Sequence, residues 1–241
     1  MNELFKITHD VVMVWVAGGV TLLVLVAGAR AIVAAPAGTG RFASLVESMV
    51  EFVRVNIAEE FLGEHAKKWF GFIAALFFFI LFANLLGKLP IPGVVSPTGN
   101  INVTAALAVM VFVVAQVAGI ITLGPWQYFK KKFLLPAPWW VQIPAIPIMF
   151  LVLLAEPFSL AVRLFANMTA GHRVLLTFAS AQMVGGVWLL HQHLLGQTAA
   201  VLPFAASVLL LAFELFVAFI QAFIFALLSA LYLSESLEEH H

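Results

Sequence analysis

The amino-acid sequence predicts an all-α integral membrane protein that crosses the bilayer several times. Of its 241 residues, 63% are hydrophobic and only 10% are charged, and the mean hydropathy is +1.07. A soluble globular domain carries about 25% charged residues. The apolar runs are much longer than a barrel strand of about 10 residues, so helices are expected. We predict about five membrane-crossing helices, one amphipathic surface helix and a long tilted C-terminal helical hairpin, in a single membrane domain, residues 1–241.

The first two elements are an apolar span and an amphipathic helix. Residues 11–29 carry no charge, and we place the first span at 11–34, which is long enough to cross a hydrocarbon core of about 30 Å. A cleaved signal peptide is the competing interpretation, because Ala27-Gly28-Ala29 resembles a cleavage site. Residues 42–62 carry apolar side chains on one face and charged ones on the other, which predicts a helix on the membrane surface. A soluble helix packed on a partner protein fits the same pattern.

A helical pair is predicted at residues 69–124. Its outer loop occupies 88–102, where prolines and glycines stop the helices. The lysines at 130–132 mark a cytoplasmic loop. If the spans alternate, most other basic residues near the span ends fall on that same side, with Lys88 opposite. We therefore expect the amino terminus outside and the carboxyl terminus in the cytoplasm.

A long helical hairpin is predicted at residues 142–234. Residues 144–191 allow one helix of about 47 residues, which measures about 70 Å and exceeds the hydrocarbon thickness more than twofold. Such a helix must bend, break or tilt steeply, and Pro157 offers one bend. We expect the last helix to begin at Pro203, since proline suits the first helical turn, and to end near residue 233. Hydropathy alone would allow five, six or seven spans.

Ionisable side chains are scarce in this hairpin. Between positions 133 and 234 the only Asp, Glu, Lys or Arg residues are Glu156, Arg163, Arg173 and Glu214. Intramembrane ionisable residues are costly and by default mark ion or proton routes. The alternative is a structural buried ion pair between Arg163 and Glu214, with neighbouring amides and hydroxyls holding the helices together.

Polar side chains form two faces around these charges. On a helix, Ser159, Arg163 and Asn167 are spaced by four and share one face, with Glu156 nearly on the same line. In the last helix, a spacing of seven gives a second face, made of Ser207, Glu214 and Gln221. If the two faces meet each other or a third protein, every costly group stays out of lipid. A guanidinium that cannot titrate beside two titratable groups, His172 and Glu214, indicates proton handling.

The segment Arg163-Leu-Phe-Ala-Asn-Met-Thr-Ala-Gly-His172 resembles the signature of subunit a of the F-type ATP synthase. That pattern has Arg-Leu-Phe followed by Asn-Met and Ala-Gly. Residues 70–234 are similar to the family in further segments: Asn84-Leu-Leu-Gly87 with Pro90, Pro97-Thr-Gly-Asn-Ile-Asn-Val-Thr104, Glu214 with Gln221-Ala-Phe-Ile-Phe, and Leu231-Tyr-Leu. The first two elements match the family only in layout.

The resemblance implies a mechanism and a set of partners. Family members hold two long, tilted helices against a rotating ring of c subunits, each with one carboxylate at mid-membrane. Arg163 then corresponds to the stator arginine, which attracts the ionised ring carboxylate and prevents protons from passing directly between two offset half-channels. The implied protein is a non-catalytic subunit of a proton-translocating ATP synthase in a bacterial plasma (inner) membrane. Its implied partners are the c ring, the b subunits of the peripheral stalk, the remaining F1Fo subunits and lipid.

The resemblance also implies residues of the proton path. With Ser159 and Ser207 from the two polar faces, the candidate path comprises Glu214, His172, Asn167, Gln221, Asn100 and Glu156. Glu214 and His172 are the implied relay pair, an acid and an imidazole in exchanged positions relative to some members. Asn100 stands where some members carry Asp, so we expect it to hold water. Glu156 stands where a basic residue is common and is assigned either to the outlet half-channel or to a partner contact.

Other function classes have weaker support. Zero net charge gives no reason to expect a nucleic-acid partner, and the absence of Cys excludes thiol nucleophiles and thiolate metal sites. Without a Gly-rich phosphate loop or a G-x-S-x-G motif, we expect no cofactor and no nucleotide site. His191 and His193 fit solvated loop histidines better than a metal site.

Two alternative functions and one alternative coupling ion stay open. A secondary transporter could use Arg163 to bind an anionic substrate, and this hypothesis predicts substrate uptake by the isolated chain. An intramembrane hydrolase would need a converging Ser and His pair, for which no motif is present. Sodium instead of protons stays open as the coupling ion, because in the family ion choice lies largely in the ring.

Overall fold

The computed structural model describes residues 9–34, 40–88, 96–133, 138–190 and 196–237; within these ranges, some side chains, including those of His172 and Ser207, are not described. The main helices are α1 (His9–Ala34), α2 (Arg41–Val53), α3 (Glu60–Leu62), α4 (Ala66–Leu86), α5 (Ile101–Leu123), α6 (Pro125–Phe133), α7 (Trp139–Leu190) and α8 (Gly196–Leu237). A π-helical segment, Arg54–Glu59, joins α2 to α3. No strand occurs within these ranges.

Five described segments are long and apolar enough to cross a membrane: Val11–Ala31, Arg41–Leu86, Ile101–Leu123, Trp140–Gly171 and Val208–Leu237. Each exceeds the roughly 20 apolar residues that a helix needs to span hydrocarbon. The predicted all-α, multi-pass fold with about five spans is therefore confirmed.

The second of these segments folds back on itself at Gly63. This glycine has a φ of 49°, in the region that side chains with a Cβ rarely adopt. As a result the Phe52 and Phe77 rings come within 6.4 Å of each other, although an unbroken helix would separate them by about 37 Å. The reversal packs the amphipathic segment against the span that follows it.

The amphipathic face of that segment is divided. Val46, Val53 and Ile57 are buried, whereas Phe42 and Leu45 are exposed. The sequence predicted one apolar face, and the structure buries only part of it, because exposed Phe42 and Leu45 alternate with buried Ala43 and Val46. Its location on the membrane surface stays a prediction.

Small residues let the spanning helices approach closely. Ala222, Ala226 and Ala230 of α8 are completely buried against the core that α4 and α5 share, as is common between helices in membranes. At the cytoplasmic end predicted from the lysines, a Cβ on Gly119 would lie 2.8 Å from the carbonyl oxygen of Ser236. The neighbouring Tyr128 hydroxyl donates to the Gln116 side chain, and burial raises the pKa of Tyr128, so the phenol stays neutral.

The connection from α4 to α5 is fixed by hydroxyl groups. Thr98 Oγ1 donates to Asn84 Oδ1 at 2.6 Å, and Ser96 Oγ donates to the Ala83 carbonyl at 2.9 Å. The two hydroxyls lie 2.6 Å apart. All of these groups are buried, so the bonds satisfy polar atoms that would otherwise be costly. They tie the end of the loop to the last turns of α4, beside Lys88.

The predicted hairpin consists of two long helices. The first, α7, has 52 residues and runs through Pro144, Pro147 and Pro157. At about 78 Å it is longer than the predicted 47-residue helix and far exceeds the hydrocarbon thickness. The prediction that the last helix begins at Pro203 was wrong, since α8 begins at Gly196. A proline inside a helix removes one backbone donor, and the α8 backbone continues across it. Residues 191–195, which contain His191 and His193, lie outside the described residues.

Candidate functional site

The centre of the polar region is a buried ion pair. Lys88 Nζ lies 2.9 Å from Glu214 Oε2, and each side chain is only 6% exposed. Lys88 follows the end of α4, and Glu214 lies on α8. Neither carboxylate oxygen of Glu214 accepts a well-oriented hydrogen bond from the described residues. The ammonium group therefore provides the main compensation for the buried negative charge.

The ion pair faces a cavity of about 270 Å³ between α4, α7 and α8. Its polar lining consists of Asn84, Lys88, Asn167 and Glu214, and its remaining lining is mainly apolar. Gly171 leaves room for the pair, because a Cβ there would lie 2.9 Å from Lys88 Nζ and 3.5 Å from Glu214 Oε1. A volume of this size holds several water molecules. The cavity can thus hold water beside the ion pair, although the Glu214 carboxylate oxygens are themselves buried.

The two predicted polar faces meet in part, at Asn167 and Gln221 beside this cavity. Asn167 Nδ2 of α7 donates to Gln221 Oε1 of α8 at 3.5 Å, a long hydrogen bond. Gln221 and Glu214 are both buried, as expected for a face turned away from lipid. The predicted relay between Glu214 and His172 stays a prediction, because the structure does not describe the His172 side chain. The Ser207 side chain is also outside the described residues.

Arg163 does not pair with Glu214. Its side chain is exposed, as is that of Ser159 one turn earlier, whereas Leu160 and Leu164 of the same helix are buried. Within the described residues no carboxylate lies within ion-pair distance of Arg163, and Lys88 occupies the position beside Glu214. The structural ion pair considered as an alternative is therefore absent. Phe158 and Val162, which are 70% and 37% exposed, add large apolar side chains to the exposed side of α7.

Glu156 lies apart from the cavity. It is half-buried, and the charges that act on it most strongly are those of Lys132 and Glu235. Both neighbours belong to the side that the sequence predicts to be cytoplasmic. Glu156 thus lies toward the ends of α6 and α8, away from the connection between α4 and α5 that follows Lys88.

Asn100 has a structural role that the sequence interpretation missed. It precedes α5, and its Oδ1 accepts a hydrogen bond from the Asn102 backbone N–H at 2.9 Å. This is the geometry of a helix N-cap. The expectation that Asn100 only holds water therefore needs correction, because its side-chain oxygen satisfies a free N–H of the first helical turn.

Replacing Asn100 with Ala is expected to destabilise the protein by about 1 kcal/mol, the usual cost of losing an N-cap. Asn100→Asp and Asn100→Ser should remain near the wild type, because both side chains can accept the same bond. Thermal unfolding of the purified membrane protein measures the effect. Equal stability of the Ala and Asp variants would contradict the capping role.

Lys88 is the site residue that the sequence interpretation overlooked. The sequence predicts Lys88 to be the single basic residue on the outer side, at the end of a span, where a lysine side chain usually extends to water. Asn84 and Thr98 belonged to segments already recognised, but their hydrogen bond was not predicted. Among the described residues, no three His, Asp or Glu side chains converge to form a metal site.

These features define a class: a multi-pass α-helical membrane protein with a buried charged cavity between its helices and an uncompensated arginine on an apolar outer face. The family model described as ATP synthase A chain matches residues 11–234. The chain belongs to this family.

Curated relatives carry corresponding names. The chain is 40% identical to ATP synthase subunit a of Myxococcus xanthus (strain DK1622), over 98% of this chain and 74% of the relative. It is 39% identical to ATP synthase subunit a of Anaeromyxobacter sp. (strain Fw109-5), over 97% of this chain and 55% of the relative. It is 38% identical to ATP synthase subunit a 2 of Prosthecochloris aestuarii (strain DSM 271 / SK 413), over 95% of this chain and 68% of the relative. This chain thus spans little more than half of the Anaeromyxobacter protein.

Proposed function

We propose that this chain is the proton-channel stator subunit of an F-type ATP synthase and has no catalytic site for ATP. Family membership supports the assignment to the membrane sector of such an enzyme. In this role the subunit supplies two half-channels and an arginine gate, which couple proton flow to rotation of the c ring and so to ATP synthesis. The ring and the b subunits of the peripheral stalk are its proposed direct partners.

The observation that carries the proposal is the exposure of Arg163 on an apolar face of α7. A guanidinium stays protonated, and its exposure to hydrocarbon would be costly. A partner that presents a carboxylate at mid-membrane would remove this cost. Arg163 would attract each ionised ring carboxylate while carrying no proton itself, because Coulomb attraction is strong in a medium of low dielectric.

The cavity beside Glu214 is the proposed inlet half-channel. Glu214 is the proposed proton acceptor there, with His172 as its relay partner and Asn167, Gln221, Ser159 and Ser207 as polar groups along the path. Glu156 is assigned to the outlet half-channel, which the nearby charge of Lys132 on the proposed cytoplasmic side supports. Two offset paths on either side of Arg163 would force a proton to travel around the ring.

The proposed location is a bacterial plasma (inner) membrane, with the amino terminus outside and the carboxyl terminus in the cytoplasm. The positions of the basic residues support this orientation, because Lys130, Lys131 and Lys132 follow the third predicted span. Each proton that moves inward down a potential of 100 mV releases about 2.3 kcal/mol. Several protons together could drive ATP release.

Cysteine cross-linking tests the proposed contact with the ring. The chain has no native Cys, so Phe158→Cys introduces a single thiol on the exposed side of α7, about 1.4 helical turns before Arg163. We expect this thiol to form a disulfide with a cysteine placed on the outer helix of the c subunit in the assembled complex. Leu164→Cys is the matched control, because Leu164 is completely buried within the chain. Equal cross-linking at both positions, or none at Phe158→Cys, would argue against the ring contact.

A further inference from the structure

Lys88 is a buried ionisable group that the proposed mechanism does not yet use. It lies in the turn that follows α4, at the outer side of the cavity, and its ammonium contacts Glu214 Oε2 at 2.9 Å. Only 6% of the side chain is exposed. A lysine near the end of a spanning helix normally extends toward interfacial water. The inward orientation of Lys88 therefore requires an explanation.

Stability alone does not provide one. Removing two charges from water costs several kcal/mol per ion, and replacing a buried ion pair with apolar residues is often neutral or stabilising. The Lys88–Glu214 pair is therefore weak evidence for a purely structural role. It lies instead beside the cavity in which a proton would have to reach Glu214.

The geometry of the pair suits proton transfer. A donor and an acceptor must approach to about 2.6–3.2 Å for such a step, and Nζ and Oε2 are 2.9 Å apart. When one proton moves from the ammonium to the carboxylate, a charged pair becomes a neutral pair, so the net charge buried in the cavity does not change. Neither state therefore leaves an isolated charge in a medium of low dielectric.

We propose that Lys88 is the proton donor to Glu214 in the inlet half-channel; this inference rests on the proposed function. An N–H bond of the Lys88 ammonium breaks and an O–H bond forms on Glu214 Oε2. The resulting amine takes a proton from a hydronium ion that arrives from the outer side, which leaves water, and the Glu214 carboxyl passes its proton to His172, its proposed relay partner, and becomes a carboxylate again. Lys88 thus returns to its ammonium form after each transfer.

Two substitutions distinguish proton transfer by Lys88 from a role in which Lys88 supplies only its positive charge. Lys88→Met removes both the charge and the exchangeable proton, whereas Lys88→Arg keeps the charge but places a group that does not release its proton. We expect both variants to lower passive proton conduction at least about tenfold, in membranes that carry the assembled complex with its catalytic head removed. Lys67→Met and Lys67→Arg are matched controls, because Lys67 is an exposed lysine in the first turn of α4, the helix that Lys88 follows. Conduction should be unchanged in both.

Wild-type conduction by Lys88→Arg would overturn the relay, whatever the Met variant does. If the Arg variant does not accumulate, chemical rescue decides. Lys88→Cys would carry the chain's only thiol, and alkylation with bromoethylamine would rebuild an amine of similar length. Restored conduction after this reaction, but not after alkylation with iodoacetamide, supports the relay; no difference between the reagents overturns it. Failure of the proposed function has a separate signature, namely normal proton pumping by an Arg163→Ala variant.

Discussion

Membranes that carry Arg163→Ala or Arg163→Lys in the assembled ATP synthase are expected to lose ATP-driven proton pumping. Alanine removes the guanidinium charge of Arg163 from the exposed side of α7, which also carries Phe158 and Val162. Lysine keeps a charge, but it replaces a planar, delocalised group with a compact ammonium that can release its proton when buried. The expected loss is at least about tenfold for either variant, which corresponds to about 1.4 kcal/mol or more. Quenching of a pH-sensitive dye after addition of ATP measures it.

The control for this experiment is Arg54→Lys. Arg54 is half-exposed and pairs with Glu51 at 2.7 Å on the surface of the amphipathic segment, where such pairs contribute under about 1 kcal/mol. Its pumping should match the wild type. Normal ATP-driven acidification with either Arg163 substitution would defeat the gate assignment, provided that the complex contains its usual amount of the subunit.

Glu214→Leu is expected to destabilise the protein by about 3–5 kcal/mol, because it leaves the Lys88 ammonium buried without its counter-charge. It should also abolish proton conduction, since the proposed acceptor is lost. The combined variant Lys88→Met with Glu214→Leu should recover most of the stability, because apolar side chains can replace a buried pair. Conduction should not return. Thermal unfolding and proton conduction of the purified complex separate the two effects.

Glu51→Leu is the matched control for the single substitution. It breaks an ion pair of similar length, but both partners are about half-exposed, so we expect a loss of under about 1 kcal/mol. If Glu214→Leu were as stable as Glu51→Leu, the compensation of Glu214 by Lys88 would not be energetically important. If the combined variant conducted protons, Glu214 would not be the acceptor.

Much of the fold could be predicted because the bilayer imposes a length on each helix. A rise of 1.5 Å per residue and a hydrocarbon thickness of about 30 Å make an apolar run of about 20 residues recognisable without an alignment. Helical periodicity also placed Asn167 and Gln221 on the polar faces of their two helices, and of the two open arrangements the structure shows the one in which these residues meet, joined by a hydrogen bond. The start of α8 was not predictable from Pro203, since a proline does not always stop a helix.

The inward orientation of the Lys88 side chain could not be predicted from the sequence, because it depends on the geometry of distant residues. The local sequence shows a basic residue where an apolar run ends. This pattern is equally compatible with a side chain that points inward and with one that points outward. The choice depends on Glu214, on a helix far along the chain, and on the space left by Gly171. Asn100 is a different case. An Asn directly before an apolar helical run is a recognised N-cap signal, so this role was predictable from the local sequence.

The uncovered guanidinium on α7 also bears on biogenesis. A newly inserted copy of this chain would hold a permanent charge against acyl chains, at a cost of about 2.5–3.5 kcal/mol on insertion scales. In the proposed complex, docking of the acidic c ring removes that cost. Copies of the subunit that have not assembled should therefore be degraded by cellular quality control. In the proposed complex, the c ring should form before this subunit accumulates stably.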